Sequence, residues 1–139
     1  MNNLFTVLVV EDFAFNQFMI EKVVKSLGCE VEVANNGKEA LGILGVKHID
    51  LVLLDLEMPE LNGIDTLKRI RAGEIPEISE IPVIALTAKV FTLSEKQILL
   101  SNGFNGVLSK PFDIQDLKNS LILNLVGFEN NETSQIQRI

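Results

Sequence analysis

Polar side chains that could take part in chemistry recur where short apolar stretches of this sequence end. Glu11 and Asp12 follow the first stretch, Asp55 follows the third, and Thr87 and Lys110 follow the fourth and fifth. Carboxylates gathered in one cleft repel one another and raise each other's pKa unless a cation lies between them. Because only oxygen ligands are offered, with no histidine or cysteine among them, the set favours a hard cation such as Mg²⁺.

The same five side chains also predict a site for phosphoryl groups. A carboxylate, a divalent cation, an ammonium and a hydroxyl are the parts needed to receive and hold a phosphoryl group, whose charge is spread over its oxygens. A charge cluster that served only the fold would be costly without ligands. The cluster is therefore interpreted as functional.

The apolar stretches and the segments between them predict the fold that must position these groups. Strands are predicted over residues 6–10, 30–34, 51–54, 82–86 and 106–108, and helices over residues 14–27, 38–44, 64–72, 94–101 and 113–126. Alternating strands and helices with short connections are typical of a parallel sheet covered on both faces. We predict an α/β fold, a single doubly wound (βα)5 flavodoxin-like domain with sheet order 2-1-3-4-5, which brings the polar strand ends together.

Composition bounds the class of protein. The 139 residues, of which 47% are hydrophobic, predict one globular domain over residues 1–127 and a polar C-terminal tail over residues 128–139. The net charge of -7 disfavours non-specific binding to nucleic acid or to an anionic membrane. Cys29 is the only cysteine, so no internal disulfide or thiolate metal cluster can form, and no apolar run reaches transmembrane length. These features favour a cytoplasmic protein that contacts neither nucleic acid nor membrane.

Four motifs, in order, carry a resemblance to a known family: V-L-V-V-E-D, D-L-V-L-L-D-L-E-M-P-E-L-N-G, V-I-A-L-T-A and G-V-L-S-K-P-F. Over residues 5–127 the sequence resembles the receiver domain of bacterial two-component response regulators. It looks most similar to receivers attached to hybrid histidine kinases and phosphorelays. Each motif alone is weak, but all four at these separations are specific.

The resemblance implies a role for each acidic residue. Asp55 looks like the phosphoacceptor. Asp12, Asp55 and the backbone carbonyl of Glu57 look like Mg²⁺ ligands, and Glu11 would act through a metal-bound water.

The resemblance also implies the remaining parts of the site and its partners. Thr87 would bond the phosphoryl oxygens, Lys110 would pair with them, and the Lys110-Pro111 peptide would be cis. A histidine kinase or a histidine phosphotransfer protein would donate the phosphoryl group. The domain would then act as a phosphorylation switch or relay rather than as an enzyme, promoting only its own phosphorylation and dephosphorylation. Since no output domain follows residue 126, output would pass through a downstream protein partner, or the domain belongs to a longer kinase.

Two positions depart from the pattern of the resembling family. Val107 stands where a Tyr or Phe usually turns inward on activation, three residues before the lysine. Phe13 stands where kinase-attached receivers often carry Asn, just after the acidic pair. The first departure predicts only a modest rearrangement on phosphorylation, and the second alters the rim of the site.

Two other functions fit part of the sequence. A haloacid-dehalogenase-type phosphatase also uses a strand-end Asp, a Thr and a Lys, but it needs a second Asp two residues later, where this sequence has Glu57. A degenerate receiver would bind partners without phosphorylation. The complete set of acids with Thr87 and Lys110 argues against that alternative.

Further predictions concern the surface around the site. Phe15, Phe18 and Met19 cannot all share the inward stripe of the first helix with Ile20 and Val24, so they are predicted to dock a phosphodonor helix. Packing against the last helix is the alternative for these three.

Glu57 also belongs to a second surface prediction, together with Lys89. Each lies two residues beyond a site residue, and they are predicted to flank the entrance used by the attacking water. Their opposite charges could pair across that entrance.

Overall fold

Five strands and five α-helices alternate through residues 4–58, 61–89 and 92–126, the parts of the chain that this computed structural model describes. The strands are β1 Thr6–Val10, β2 Glu30–Ala34, β3 Leu51–Asp55, β4 Val83–Thr87 and β5 Gly106–Ser109. The helices are α1 Ala14–Ser26, α2 Gly37–Val46, α3 Gly63–Arg71, α4 Leu93–Ser101 and α5 Ile114–Val126. The predicted alternation is confirmed, with differences only at the ends of the elements.

The five strands form one parallel sheet in the order β2-β1-β3-β4-β5. The register sets Val10 beside Leu54 and sets Asp55 beside Leu86. The carboxyl ends of neighbouring strands therefore lie at one edge of the sheet. The predicted flavodoxin-like order is confirmed, and with it the reason why the strand-end residues meet.

Alternate side chains of the central strands enter two separate apolar layers. One layer packs under α2, α3 and α4 and includes Leu8, Val10, Val52, Leu54, Val83 and Ala85. The other packs under α1 and α5 and includes Val7, Val9, Leu51, Leu53, Ile84 and Leu86. Because both faces are covered, the central strands read in the sequence as continuous apolar runs.

The apolar residues at helical spacing in α1 and α3 face the core, with one exception. Ile20, Val23 and Val24 of α1 are buried, as are Leu67 and Ile70 of α3. The exception is the residue after α1, Leu27, which is only partly buried against the same layer. The helix ends before it, and the chain turns at the glycine that follows, which has φ 85°.

The three glutamates and one proline of segment 74–81 predict a solvated connection, but the structure corrects this prediction, because the segment is in part a core element. It contains one turn of 3-10 helix at Pro76–Ile78, and both Ile78 and Ile81 are buried. Arg71 fixes this turn by donating hydrogen bonds to the main-chain carbonyls of Ser79, at 3.1 Å, and Ile81, at 2.7 Å. The three glutamates suggested exposure for the whole segment, although the three-residue spacing of the two isoleucines places both of them toward the core.

The predicted C-terminal tail and the predicted domain boundary cannot be compared with the structure. The polar tail at residues 128–139 lies beyond the described residues, so the domain boundary at residue 127 stays a prediction. Within the part of the chain that is described, no helix combines the length and the apolar character needed to cross a bilayer.

Candidate functional site

The strand ends form a cleft, here called the acidic cleft, from Glu11, Asp12, Asp55, Thr87 and Lys110. Asp55 and Thr87 are the last residues of β3 and β4, Glu11 follows β1, and Lys110 follows β5. Glu11, Asp55 and Thr87 are each no more than 1% exposed, whereas Asp12 is exposed at the rim. The predicted convergence of these strand-end groups is therefore observed.

Lys110 ties two of the carboxylates together. Its Nζ lies 3.1 Å from Oδ1 of Asp55 and 3.3 Å from Oε1 of Glu11. Burial by itself lowers the pKa of Lys110, but the hydrogen bond and charge of Asp55, together with Glu11, raise it above its ordinary value. The ammonium is thus held charged in the cleft. The Lys110-Pro111 peptide is cis, as the resemblance implied.

Asp55 keeps an unfavourable charge in spite of these contacts. Burial raises its pKa, the hydrogen bond from the amide of Glu57 at 3.0 Å lowers it, the charge of Glu11 raises it and Lys110 lowers it. The balance moves the pKa from 3.8 to about 6. One ammonium and one amide do not fully offset the removal of this carboxylate from water next to a second carboxylate.

The geometry and donor chemistry of the cleft fit a hard cation. One carboxylate oxygen each from Glu11, Asp12 and Asp55 lie within 4.8 Å of one another. All three donors are oxygens, and the exposure of Asp12 leaves one side of the group open to water ligands, which Mg²⁺ retains. The carbonyl of Glu57 as a further ligand stays a prediction.

The start of α3 is held directly against the end of β3. The Asn62 side chain caps the helix by accepting from the amide of Asp65 at 3.0 Å. A Cβ at Gly63 would lie 2.6 Å from the carbonyl oxygen of Asp55, so a side chain there could not fit without moving the backbone. Glycine at this position therefore lets the start of α3 lie against the end of β3.

Glu57 makes contacts that the sequence did not reveal. Its Oε2 accepts a hydrogen bond from Oγ1 of Thr87 at 2.6 Å, and its Oε1 accepts one from the amide of Ala88 at 2.9 Å. The predicted pairing with Lys89 is replaced by these bonds, while the amide of Lys89 donates to Oγ1 of Thr87 at 3.2 Å. The sequence held one signal for this arrangement: the amides just after Thr87 lie beyond the end of β4, where they have no ladder partners and need other acceptors.

Exposed aromatic side chains lie at the start of α1, beside the cleft. Phe13, Phe15 and Phe18 are each more than half exposed, and we call them the α1 surface. The rings of Phe13 and Phe15 lie 6.3 Å apart, and Nζ of Lys22 lies 5.3 Å from the ring of Phe18.

Met19 behaves differently from the three phenylalanines. It is half-buried and lines a shallow groove with Ile114 and Lys118 of α5. Phe18 lines the same groove but stays more than half exposed, so packing toward the last helix is marked only for Met19, and the exposure predicted for Phe15 and Phe18 is observed.

A doubly wound parallel sheet with acidic, hydroxyl and ammonium groups at its carboxyl edge defines an α/β domain of the flavodoxin-like class. The model of the response regulator receiver domain family matches residues 7–122. The chain therefore belongs to the response regulator receiver domain family, which confirms the resemblance seen in the motifs. Receiver domains are signalling domains.

Individual relatives agree with this assignment. The chain is 37% identical over 117 residues to the sensor histidine kinase RcsC of Escherichia coli strain K12, covering 84% of this chain but only 12% of that relative. It is 31% identical, with a TM-score of 0.75, to the receiver domain of the sensor histidine kinase PA1611 of Pseudomonas aeruginosa PAO1, covering 89% of this chain and 98% of that one. That structure has a magnesium ion coordinated in its active site cleft.

A third relative was solved together with a partner protein. The Saccharomyces cerevisiae Ssk1 receiver domain, in a co-crystal with the histidine phosphotransfer protein Ypd1, is 26% identical with a TM-score of 0.82, covering 96% of this chain and 97% of that one. The comparisons confirm the predicted fold, the receiver function in two-component and phosphorelay signalling, and Mg²⁺ as the cation of the family's acidic site.

Proposed function

We propose that this receiver domain accepts a phosphoryl group on Asp55 from a histidine kinase or a histidine phosphotransfer protein and acts as a switch or relay. The observation that carries this proposal is a buried Asp55 carboxylate whose oxygen lies 3.1 Å from Nζ of Lys110 and within 4.8 Å of carboxylate oxygens of Glu11 and Asp12. The domain would catalyse only its own phosphorylation and dephosphorylation.

Asp55 supplies the nucleophile of the transfer. Both of its hydrogen bonds, from Lys110 and from the amide of Glu57, engage Oδ1, which leaves Oδ2 to attack. A bond forms from this oxygen to phosphorus while the bond from phosphorus to the donor histidine nitrogen breaks, and water later cleaves the acyl phosphate.

The neighbouring groups stabilise the transferred phosphoryl group. Mg²⁺, when bound by Asp12 and Asp55 with Glu11 nearby, supplies the positive charge that offsets the phosphoryl oxygens. Lys110 follows β5 and would pair with one phosphoryl oxygen, and the hydroxyl of Thr87 would donate to another.

The donor protein would dock on the α1 surface. Phe15 and Phe18 are 61% and 55% exposed at the end of α1 that lies beside the cleft. Large exposed apolar side chains gathered in one place are typical of protein interaction sites. A receiver related to this chain was crystallised with a phosphotransfer protein, which supports a donor of that class. A downstream protein partner would read the phosphorylated state.

The test is phosphoryl labelling with acetyl phosphate and Mg²⁺, followed by mass spectrometry. The wild-type protein should gain one phosphoryl group, and Asp55→Asn should gain none. The exposed Asp65 on α3 offers a matched control, since Asp65→Asn removes one nearby carboxylate outside the acidic cleft and should label normally. Full labelling of Asp55→Asn would assign the phosphoacceptor elsewhere, and an unlabelled wild-type protein that still binds its partners would be a degenerate receiver.

A further inference from the structure

The Glu57 carboxylate occupies two hydrogen-bond donors at the carboxyl end of β4. Thr87 donates its hydroxyl to one carboxylate oxygen at 2.6 Å, and Ala88 donates its main-chain amide to the other at 2.9 Å. Hydrogen bonds to an ionised carboxylate are shorter and about twice as strong as neutral ones. The side chain is therefore held on these two donors rather than projecting into solvent.

Glu57 contacts both Asp55 and Thr87, one through its backbone and the other through its side chain. The amide of Glu57 is bonded to Oδ1 of Asp55 at 3.0 Å, while the Glu57 side chain reaches Thr87. One residue thus bridges from the proposed phosphoacceptor to the hydroxyl proposed to bind the phosphoryl group. The Glu57 carboxylate therefore lies on the Thr87 hydroxyl and the Ala88 amide, at the end of the strand next to β3, which carries Asp55.

Thr87 cannot serve both anions at once. A hydroxyl has a single proton to donate, and in this structure that proton is directed to Glu57. The oxygen of the same hydroxyl already accepts a hydrogen bond from the amide of Lys89 at 3.2 Å, which fixes its orientation. A phosphoryl oxygen can reach the Thr87 proton only when the Glu57 carboxylate leaves.

We propose that the Glu57 carboxylate is an internal occupant of a phosphoryl-oxygen subsite formed by the Thr87 hydroxyl and the Ala88 amide. This inference rests on the proposed function, in which Asp55 is phosphorylated. Glu57 competes with the phosphoryl group for the two donors and adds a negative charge beside it, so it weakens the phosphorylated state. Its side chain determines how tightly the cleft holds phosphoryl-like anions, while its backbone carbonyl is the predicted further ligand of the cation.

A purely structural bridge would behave differently. If Glu57 only joined the β3 and β4 ends, its removal would loosen that edge and leave the affinity for an anion unchanged or weaker. If Glu57 competes for the subsite, its removal frees two donors and raises that affinity. The sign of the change in anion affinity therefore separates the two roles.

The experiment measures equilibrium binding of beryllofluoride, a phosphoryl mimic, in the presence of Mg²⁺. The chain contains no Trp and no Tyr, so amide NMR shifts are the readout. Glu57→Ala should bind the mimic about tenfold more tightly than the wild type, the order expected when a charge-assisted contact no longer competes. Glu57→Gln, which keeps the shape and one acceptor oxygen, should show a smaller gain in the same direction.

Asp65→Asn is the matched control, because it removes a carboxylate near the cleft that contacts neither Thr87 nor Ala88 among the contacts of the described residues. Its affinity should stay within about twofold of wild type, since exposed charges are screened by water. A gain in this control equal to that of Glu57→Ala would mean that overall charge, and not the subsite, sets the affinity.

A second readout needs neither anion nor metal. In the free protein, the amide proton of Ala88 should shift upfield in Glu57→Ala relative to wild type, because it loses a carboxylate acceptor. If Glu57→Ala does not fold, Glu57→Gln decides the question in both measurements.

The outcomes separate this inference from the proposed function. A wild-type protein that binds the mimic, with Glu57 variants that bind equally or more weakly, overturns the subsite and leaves Asp55 as phosphoacceptor. A wild-type protein that shows no binding at saturating Mg²⁺ overturns the proposed function and the subsite together.

Discussion

Replacing Asp55 by Asn is expected to stabilise the metal-free domain against unfolding at neutral pH. The carboxylate is buried beside Glu11, and its contacts with Lys110 and with the amide of Glu57 do not fully offset the loss of water. Asn keeps the shape of the side chain and removes the charge. The wild-type protein therefore carries an unfavourable charge that the variant lacks.

The size of the effect follows from the pKa of Asp55. A rise from 3.8 to about 6 corresponds to about 3 kcal/mol at 1.36 kcal/mol per unit, an upper limit. Water at the open rim of the cleft screens part of this charge, so the expected gain in the free energy of unfolding is about 1–2 kcal/mol. The favourable contacts of Lys110 and the Glu57 amide are already contained in the shifted pKa.

The pH dependence gives the prediction its sign. The folded-state pKa of Asp55 is raised, so well below its unfolded value of 3.8 both states hold the proton and the charge penalty is absent. Between 3.8 and about 6 the unfolded chain loses its proton first, and the folded state is progressively destabilised. Above about 6 the penalty is constant. The advantage of Asp55→Asn should therefore grow through this window and then level off.

The assay is urea unfolding followed by circular dichroism, in EDTA, from about pH 4 to about pH 8. Asp65→Asn, which lies outside the cleft, should show little pH-dependent gain. Saturating Mg²⁺ should stabilise the wild type and narrow its difference from Asp55→Asn, because a ligand that binds only the folded state raises stability. A gain that does not change with pH, or a variant less stable than wild type above pH 6, would refute the reasoning.

Four further outcomes are expected. Phe18→Ser should slow phosphoryl transfer from a phosphotransfer protein and spare labelling by acetyl phosphate, since Phe18 is more than half exposed and lies outside the acidic cleft. Equal slowing of both reactions would indicate lost packing toward α5. Arg71→Lys should lower the free energy of unfolding in urea by about 2 kcal/mol, because its guanidinium donates to three main-chain carbonyls, whereas the exposed Arg69→Lys should change it little. Cys29 should resist iodoacetamide in the folded protein and react in urea, since burial raises the pKa of its thiol to about 11. Val107, half-buried and without a ring to reorient, should restrict NMR shift changes on beryllofluoride binding mainly to the cleft, and large changes across α4 and α5 would contradict this.

The sequence carried most of the fold and the positions of the cleft residues. A strand buried on both faces reads as an apolar run, and the first polar residue after it marks the carboxyl edge of a parallel sheet. Asp55 and Thr87 could be placed in this way because their strands are fully buried. Sheet order then follows from the rules for doubly wound folds, and the observed order agrees.

The parts that the sequence did not reveal depend on contacts between distant segments. Arg71 reaches carbonyls on both sides of β4, including that of Gly103 at 2.7 Å, and no local pattern encodes those partners. The burial of Ile78 and Ile81 depends on the same arrangement. The direction taken by the Glu57 side chain was missed because it is set by free donors at the end of another strand.

The charges around the cleft also explain why phosphorylation would replace hydrogen bonds of the free protein and not simply add new ones. Glu11, Asp55 and Glu57 each accept from a donor that the phosphoryl oxygens would need, and Lys110 is shared between the first two. An added phosphoryl group would meet uncompensated carboxylates unless a cation joined them, because like charges at contact distance repel strongly away from bulk water. When the ammonium and the hydroxyl turn to the phosphoryl oxygens, they leave Glu11 and Glu57. We therefore expect the rearrangement on phosphorylation to begin with these two glutamates, one at the end of β1 and one between β3 and α3, and not with the apolar core.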